Sequence, residues 1–127
     1  MNINSTILDM KKIDNLIVTP RRKQITNLDS LPFYDRSLID YEKYQQYIGH
    51  AGVKHSMAIQ ATRGCPYRCF YCDVYKTTLH HFRRSVENIF EEVKIIASLG
   101  VKRIEFIDDI FNVKIKDFKK FFKLVLK

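Results

Sequence analysis

Three cysteines within eight residues are the part of this sequence best suited to do chemistry. Cys65, Cys69 and Cys72 have the spacing C-x-x-x-C-x-x-C, and the chain contains no other cysteine. Thiolates are soft ligands that suit iron–sulfur clusters or zinc. A cubane of four irons offers four ligand positions, so three cysteines would leave one iron without a protein ligand. That iron would be able to bind a substrate or a cofactor.

Other uses of these thiols fit the sequence less well. A structural zinc site normally takes four ligands in two separated pairs, and only His80 and His81 lie near enough to add a fourth. Disulfides would leave one cysteine unpaired and would close very small, strained loops. We therefore predict an iron–sulfur cluster. The alternative is a non-catalytic metal-binding module that holds zinc or a cluster for structure or electron transfer.

The composition indicates a folded, basic domain. The chain has 127 residues, of which 46% are hydrophobic, and its formal net charge is +8. The positive charge raises the possibility of a nucleic-acid-binding module. The lysines of the last segment, however, alternate with apolar residues as on the solvated face of an amphipathic helix, so nucleic-acid binding is only the third reading. The first 30 residues are polar and interrupted by charge, which predicts neither a signal peptide nor a membrane anchor. We expect a cytoplasmic protein, since that compartment preserves thiolates.

The elements that must position the cysteines become clear from residue 53 onwards. Residues 57–62 predict a short strand that ends at Gly64, and Ser85 predicts the start of an amphipathic helix that ends before Gly100. Residues 103–107 predict a second strand, and a lysine-rich helix is predicted from about Ile115. The preceding part is less regular. It predicts a β-favouring run at 16–19, an extended linker at 28–35 and a short helix at 38–47.

The order of these elements predicts where the cysteines lie. Strand, cysteine loop, helix, strand, acidic loop and helix make two successive βα units, which implies a parallel sheet. Ligands of such sheets bind beyond the carboxyl ends of the strands. The cysteines and the adjacent Asp108 and Asp109 follow the two strands, so we expect both loops at one edge. The two carboxylates either face a ligand there or form a solvated turn.

The run TRGCPYRCFYC at residues 62–72 resembles the cluster-binding signature of the radical SAM superfamily. The segment NLDSLPFYDR at residues 27–36 resembles the linker that joins a cobalamin-binding domain to the catalytic domain in cobalamin-dependent members. FRRSVE at 82–87 and IEFIDDIF at 104–111 are similar to the first helix and second strand of that subgroup. The resemblance extends over roughly residues 13–127 and is most specific at 57–73.

The resemblance implies a set of cofactors and a mechanism. The three cysteines would hold a 4Fe–4S cluster, S-adenosylmethionine would chelate the fourth iron, and reductive cleavage would give methionine and a 5′-deoxyadenosyl radical. Tyr71 would lie against the adenine; the alternative is a partly buried packing aromatic. Asp108 and Asp109 stand where many members carry a Gly-Gly-Glu run near the amino group of the cofactor. Arg63 and Arg68 would offset the negative charge of the cluster or be solvated. An electron donor such as flavodoxin or ferredoxin is implied as a partner.

The family fold implies that this chain is incomplete. The expected class is α/β, with the first two βα units of a partial (β/α)6 TIM-like barrel preceded by an extended linker. Residues 1–54 would be the linker and tail of an absent cobalamin-binding domain, and residues 55–127 the N-terminal part of the radical SAM core. Two such units would leave strand edges and the apolar faces of both helices exposed. We therefore expect a complementing chain and no turnover by this chain alone.

Overall fold

The fold consists of short strands and two longer helices. The computed structural model describes residues 20, 22–46, 52, 54–78 and 80–127. Its elements are β1 (Ser56–Ile59), β2 (Thr62–Arg63), α1 (Val74–Thr78), β3 (Phe82–Arg83), α2 (Val86–Ser98), β4 (Arg103–Phe106) and α3 (Ile115–Val125). Short 3-10 helices at Leu28–Ser30, Arg36–Leu38 and Tyr41–Gln46 precede them. The β-favouring run predicted at 16–19 lies outside the described residues.

The predicted parallel pairing is present between β1 and β4. Ser56 lies opposite Arg103 and Ile59 lies opposite Phe106. The pairing continues one step beyond β4, because the amide of Ile107 donates to the carbonyl of Ile59 at 3.1 Å. The helix α2 connects the two strands, as a parallel pair requires a long crossover. The observed fold is therefore mixed α/β with a short parallel sheet.

The single strand predicted over residues 57–62 is wrong at its end. The parallel ladder stops at Ile59, and β2 forms an antiparallel pair with β3 in a separate sheet. The reason is a competing acceptor. The amides of Ala61 and Thr62 both donate to the carboxylate of Asp108, so at these two residues a side chain takes the donors that a continued strand would have offered to a neighbour.

The helix α2 begins and ends where its sequence predicts. The hydroxyl of Ser85 accepts a hydrogen bond from the amide of Asn88 at 3.2 Å, which caps the amino terminus, and Glu87 lies in the first turn. The helix ends before Gly100, whose φ of +75° lies in the left-handed region that favours glycine. The period of its apolar residues places Ile89 and Ile96 on one buried face.

The core lies between one face of the β1–β4 sheet and the two helices. Its buried members are Ile59, Ala61, Val86, Ile89, Ile96 and Phe121. The expectation that both helices would expose their apolar faces is thus wrong for Val86, Ile89 and Phe121, each at most 4% exposed. The two helices bury their apolar residues against each other and against one face of the sheet. On the opposite face of the sheet Ala58 is exposed, and beyond β4 the side chain of Ile107 is 61% exposed.

The helix α3 separates apolar and basic residues onto different faces, as predicted. Phe121 is buried against Phe106 in an edge-to-face contact with ring centroids 5.4 Å apart. Lys116, Lys119, Lys120 and Lys123 are exposed. Lys120 also forms an ion pair with Glu87 of α2. Within the described part of the chain, the helices are all too short or too polar to cross a membrane.

The linker is folded onto the core, which its sequence did not predict. Instead of running extended over 28–35, it begins with a 3-10 helix in which Leu28 is only 3% exposed. Asp29 accepts a hydrogen bond from the amide of Ser85 at 2.9 Å, at the amino terminus of α2. The short helix predicted at 38–47 is a 3-10 helix over Tyr41–Gln46, and residue 47 lies outside the described residues.

The buried face of α2 gives a test of this packing. Replacing Ile89, which is fully buried, by Ala should lower the free energy of unfolding by about 2–5 kcal/mol, because it removes apolar contacts and leaves a cavity. The matched control is Ile95→Ala on the same helix, where the side chain is 42% exposed and the expected loss is below about 1 kcal/mol. Urea denaturation followed by circular dichroism measures both. Equal losses in the two variants would contradict the assignment of the core.

Candidate functional site

The three cysteines lie on one loop, residues 64–73, which we call the cysteine loop. It joins β2 to α1 and contains no helix or strand. Cys65 and Cys72 are half-buried and Cys69 is exposed, and all three thiols are free. The amide of Cys72 donates to the carbonyl of Cys69 at 3.1 Å, which forms a turn between the second and third cysteines. No disulfide competes for the thiols that the sequence predicts as metal ligands.

The donor set of the loop fits an iron–sulfur cluster, although its side chains are not yet gathered. In the part of the chain that the structure describes, no three His, Cys, Asp or Glu side chains converge as a preformed metal site. The thiols nevertheless have the number and the chemical softness that a cubane with one open iron requires. Metal ligation commonly supplies part of the folding free energy of its own loop. The residues present therefore fit such a cluster.

Gly64 fixes the entry to the cysteine loop. Its φ is +81°, in the left-handed region, and a Cβ at this position would lie 2.6 Å from the Thr78 hydroxyl and closer still to the His80 carbonyl. Both neighbours belong to the segment that ends α1 and leads to β3. Only glycine allows the backbone to pass this closely while turning, so the loop and the end of α1 meet at Gly64.

The short helix α1 closes the other end of the loop and was not predicted. Asp73 precedes it, and the carbonyl of Asp73 accepts from the amide of Lys76 at 2.9 Å. The side chains of the same two residues form an ion pair. The hydrogen bond and the charge of Lys76 lower the pKa of Asp73. An Asp immediately before a helix is a recognised start signal, but a helix of only five residues shows too little periodicity to detect.

Asp108 connects the acidic loop to the base of the cysteine loop. Its Oδ1 accepts hydrogen bonds from the amide of Ala61 at 3.0 Å, from the hydroxyl of Thr62 at 2.6 Å and from the amide of Thr62. The two loops therefore leave the same edge of the sheet. Oδ2 of Asp108 is buried without a hydrogen-bond partner among the described residues. Asp109 is exposed. Asp108 thus has a structural contact that its sequence did not predict.

The aromatic residues of the cysteine loop point away from the core. Tyr71 is 78% exposed and Phe70 is 99% exposed, and their rings meet edge to face with centroids 5.1 Å apart. This exposure does not fit the alternative in which Tyr71 is a partly buried packing residue. A large aromatic side chain in solvent beside the cysteines is available to a planar ligand. The role of Tyr71 as an adenine contact stays a prediction.

The arginines around the site divide into two groups. Arg68 is exposed on the loop, and Arg63 is half-buried with its Nε 3.4 Å from the amide oxygen of Gln60. Arg83 and Arg84 were not predicted as site residues, but both donate hydrogen bonds to backbone carbonyls around the site. Arg83 donates to the carbonyl of Phe111 at 2.6 Å, and the amide of Arg84 donates to the carbonyl of Ala61 at 3.0 Å. The sequence signal that could have identified them is their position, two adjacent arginines immediately before the helix cap Ser85.

The close approach at Gly64 predicts the effect of adding one methyl group. Gly64→Ala should abolish most iron binding after anaerobic reconstitution, because the new Cβ collides with backbone and forces the loop entry to move. Gly100→Ala is the control, since Gly100 has a similar φ of +75° but nothing within 4 Å of the added atom. That variant should lose about 1 kcal/mol of stability and keep its iron. Equal iron contents in the two variants would show that Gly64 does not set the loop.

Comparison with known proteins places this site in a family. Residues 59–127 match the Radical SAM superfamily. An uncharacterized methyltransferase of Pyrococcus horikoshii is 33% identical over 102 residues, which cover 76% of this chain and 20% of that protein. A tRNA-2-methylthio-N(6)-dimethylallyladenosine synthase of Ehrlichia ruminantium is 33% identical over 102 residues, covering 79% of this chain and 22% of that protein. A ribosomal protein uS12 methylthiotransferase of Bacteroides thetaiotaomicron is 35% identical over 54 residues, covering 42% and 12%.

The relatives are much longer than this chain. The chain spans about a fifth of the length of the first two of these relatives. No solved structure matches it at a significant level. The family match covers more than half of the chain and includes the whole cysteine loop. The chain therefore belongs to the radical SAM superfamily.

Proposed function

We propose that this chain is the part of a radical SAM enzyme that binds a 4Fe–4S cluster through Cys65, Cys69 and Cys72 and contributes to the binding of S-adenosylmethionine. One observation supports the proposal most strongly. Three free thiols occupy a single loop at the carboxyl edge of a parallel βα pair, within the segment that matches the superfamily. That edge is where α/β folds bind their ligands. A zinc site for structure alone is the alternative that the first experiment below tests.

The proposed chemistry divides between cofactor and protein. When bound, the cluster supplies an electron for the cleavage of S-adenosylmethionine to methionine and a 5′-deoxyadenosyl radical. The residues of this chain would hold and orient. Three thiolates would fix the cluster, and the exposed ring of Tyr71 would offer a surface for the adenine. The exposed carboxylate of Asp109 and the buried, unpartnered Oδ2 of Asp108 are the acceptors that we propose for an amino group.

The complete protein would carry out group transfer. The printed names of the relatives describe a methyltransferase and methylthiotransferases, and we propose methyl or methylthio transfer as the reaction class. We further propose that the described βα units are the first two of a partial (β/α)6 barrel, with the core at residues 55–127 and a linker at 1–54. The linker would join a cobalamin-binding domain. An electron donor such as flavodoxin or ferredoxin, a complementing chain and a cytoplasmic location complete the proposal.

Reconstitution tests the cluster directly. The anaerobically reconstituted chain should bind about four irons and about four sulfides, because three thiolates hold three of the four irons of a cubane. Replacing Cys65, Cys69 or Cys72 by Ala should each remove most of the iron, since two thiolates hold a cubane poorly. Iron and sulfide analysis with electron paramagnetic resonance of the reduced protein measures this. Stoichiometric zinc with negligible sulfide would instead support the structural metal site.

A second prediction separates the two contributions of Asp108. Asp108→Asn keeps an oxygen that can accept from Ala61 and Thr62, whereas Asp108→Ala removes it. If the negative charge also binds the amino group of S-adenosylmethionine, the Asn variant should retain its cluster but bind the cofactor about tenfold more weakly. The Ala variant should lose stability as well. Asp109→Asn, at an exposed carboxylate, should weaken cofactor binding without any loss of iron.

Spectral titration of the reconstituted proteins with S-adenosylmethionine measures these affinities. The titration is carried out on a longer form of the protein as well as on this chain, which spans about a fifth of the length of its relatives. Wild-type affinity in both Asn variants would assign Asp108 to the structural contact alone and Asp109 to a solvated turn.

A further inference from the structure

A buried carboxylate on α2 is held by two arginines. Glu92 is 1% exposed. Its Oε1 lies 2.6 Å from Nη2 of Arg36, and its Oε2 forms an ion pair with Nη1 of Arg84. The two arginine side chains are themselves only 13% and 11% exposed. We call Arg36, Glu92 and Arg84 the buried triad.

The buried triad joins the linker to the helix. Arg36 belongs to the linker and lies 56 residues before Glu92 in the sequence. A 3-10 helix over Arg36–Leu38 presents it, and this helix is capped by Asp35, which accepts hydrogen bonds from the amide of Ser37 at 3.0 Å and from its hydroxyl at 2.6 Å. These two hydrogen bonds lower the pKa of Asp35. The linker therefore delivers one charge to a fixed place on α2.

The buried triad also reaches the backbone that leads into the cysteine loop. Nη1 of Arg84 donates to the carbonyl of Gln60 at 2.9 Å as well as to Glu92. Its backbone amide donates to the carbonyl of Ala61 at 3.0 Å. The side chain is fixed further by a hydrogen bond from Nε to the Asn88 amide oxygen at 2.6 Å. Only three residues separate Ala61 from the first cysteine.

The same short segment is held from its other side. The guanidinium of Arg84 holds the carbonyl of Gln60, its backbone amide holds the carbonyl of Ala61, and the carboxylate of Asp108 holds the amides of Ala61 and Thr62. Since the β1–β4 ladder has already ended at Ile59, these contacts and not that ladder hold residues 60 and 61.

Stability alone is a poor explanation for the buried triad. Removing two or three charges from water carries a large desolvation cost, and well-packed apolar residues in such a place are often equally or more stabilising. Breaking such a group by deleting one partner is destabilising because an uncompensated charge stays buried. The arrangement therefore ties the position of Arg84 to the presence of the linker.

We propose that the buried triad positions the cysteine loop, so that docking of the linker through Arg36 sets the geometry in which the cysteines meet their cluster. The inference rests on the proposed function for what the loop binds, but not for how the loop is held. Arg36, Glu92 and Arg84 are positioning residues. They act through the carbonyl of Gln60, to which the Arg84 side chain donates.

The test compares thiol reactivity in the full, reduced, metal-free chain. Cys65 is half-buried and Cys69 is exposed, so alkylation followed by mass spectrometry should show slower modification of Cys65. In Glu92→Gln and in Arg36→Met, we expect alkylation of Cys65 to accelerate about tenfold, as for the loss of a hydrogen bond to a charged group. The rate at Cys69 should stay unchanged. Arg36→Lys keeps a charge that can reach Glu92 and should restore the wild-type rate.

Two control variants separate positioning from general destabilisation. Glu87→Gln makes the same change on the same helix, but its side chain is 62% exposed and pairs with Lys120 at the surface. Ile96→Val lowers stability through the core, at the distal end of α2. Neither should alter the ratio of the Cys65 and Cys69 rates. Urea denaturation gives the unfolding free energy of every variant for comparison.

Cluster binding supplies a second, independent measurement. In reconstituted protein, removal of iron by a chelator should be about tenfold faster in Glu92→Gln and Arg36→Met than in the wild type, with an altered resonance spectrum of the remaining reduced cluster. A wild-type chain that takes up no cluster would defeat the proposed function, while the alkylation ratio would still decide the inference. Wild-type ratios in both triad variants would overturn it, as would an Ile96→Val variant that exposes Cys65 equally. If Glu92→Gln does not fold, Arg36→Met and Arg36→Lys decide.

Discussion

The hydrogen bonds that Asp108 accepts from two backbone amides determine how the rest of the site is built. A parallel strand normally continues until its donors meet solvent or a turn, but here a carboxylate from the end of β4 takes the amides of Ala61 and Thr62. The chain is thereby released from the sheet at a defined residue. It then pairs with β3 and turns at Gly64, so the cysteine loop begins beside the acidic loop. One carboxylate thus brings together two segments that are 46 residues apart.

Charged groups fix the position of the linker on this core. Leu28 is buried, Asp29 contacts the amino terminus of α2, and Arg36 contacts Glu92. A carboxylate near a helix amino terminus is favoured by the helix dipole, and a buried carboxylate requires a positive partner. Both contacts depend on α2 being in place. The linker therefore packs on α2, and its register is set by two charged groups.

The sequence predicted those elements whose information is local. The cap at Ser85, the apolar period of α2 and the β-favouring residues of β4 each lie within one element, and their prediction is confirmed. The end of β1, the pairing of β2 with β3 and the docking of the linker depend on contacts between residues about 20 to 60 apart, such as Arg36 with Glu92. No periodicity reports such contacts. Asp108 was selected for its position after a strand, whereas its bond to Thr62 was not foreseen.

The site combines a fixed base with a loop that has few contacts of its own. Arg84 and Asp108 hold residues 60–62, and Gly64 is pressed against the end of α1. Beyond Gly64 the loop exposes Cys69, Phe70 and Tyr71 to solvent and contains one backbone turn. Covering the exposed aromatic rings beside the three thiols is favourable, because it removes apolar surface from water. A bound metal would supply the missing bonds of the loop, and a planar ligand would cover the rings. The contacts at the base would then determine where that binding occurs, and the ligand would complete the loop.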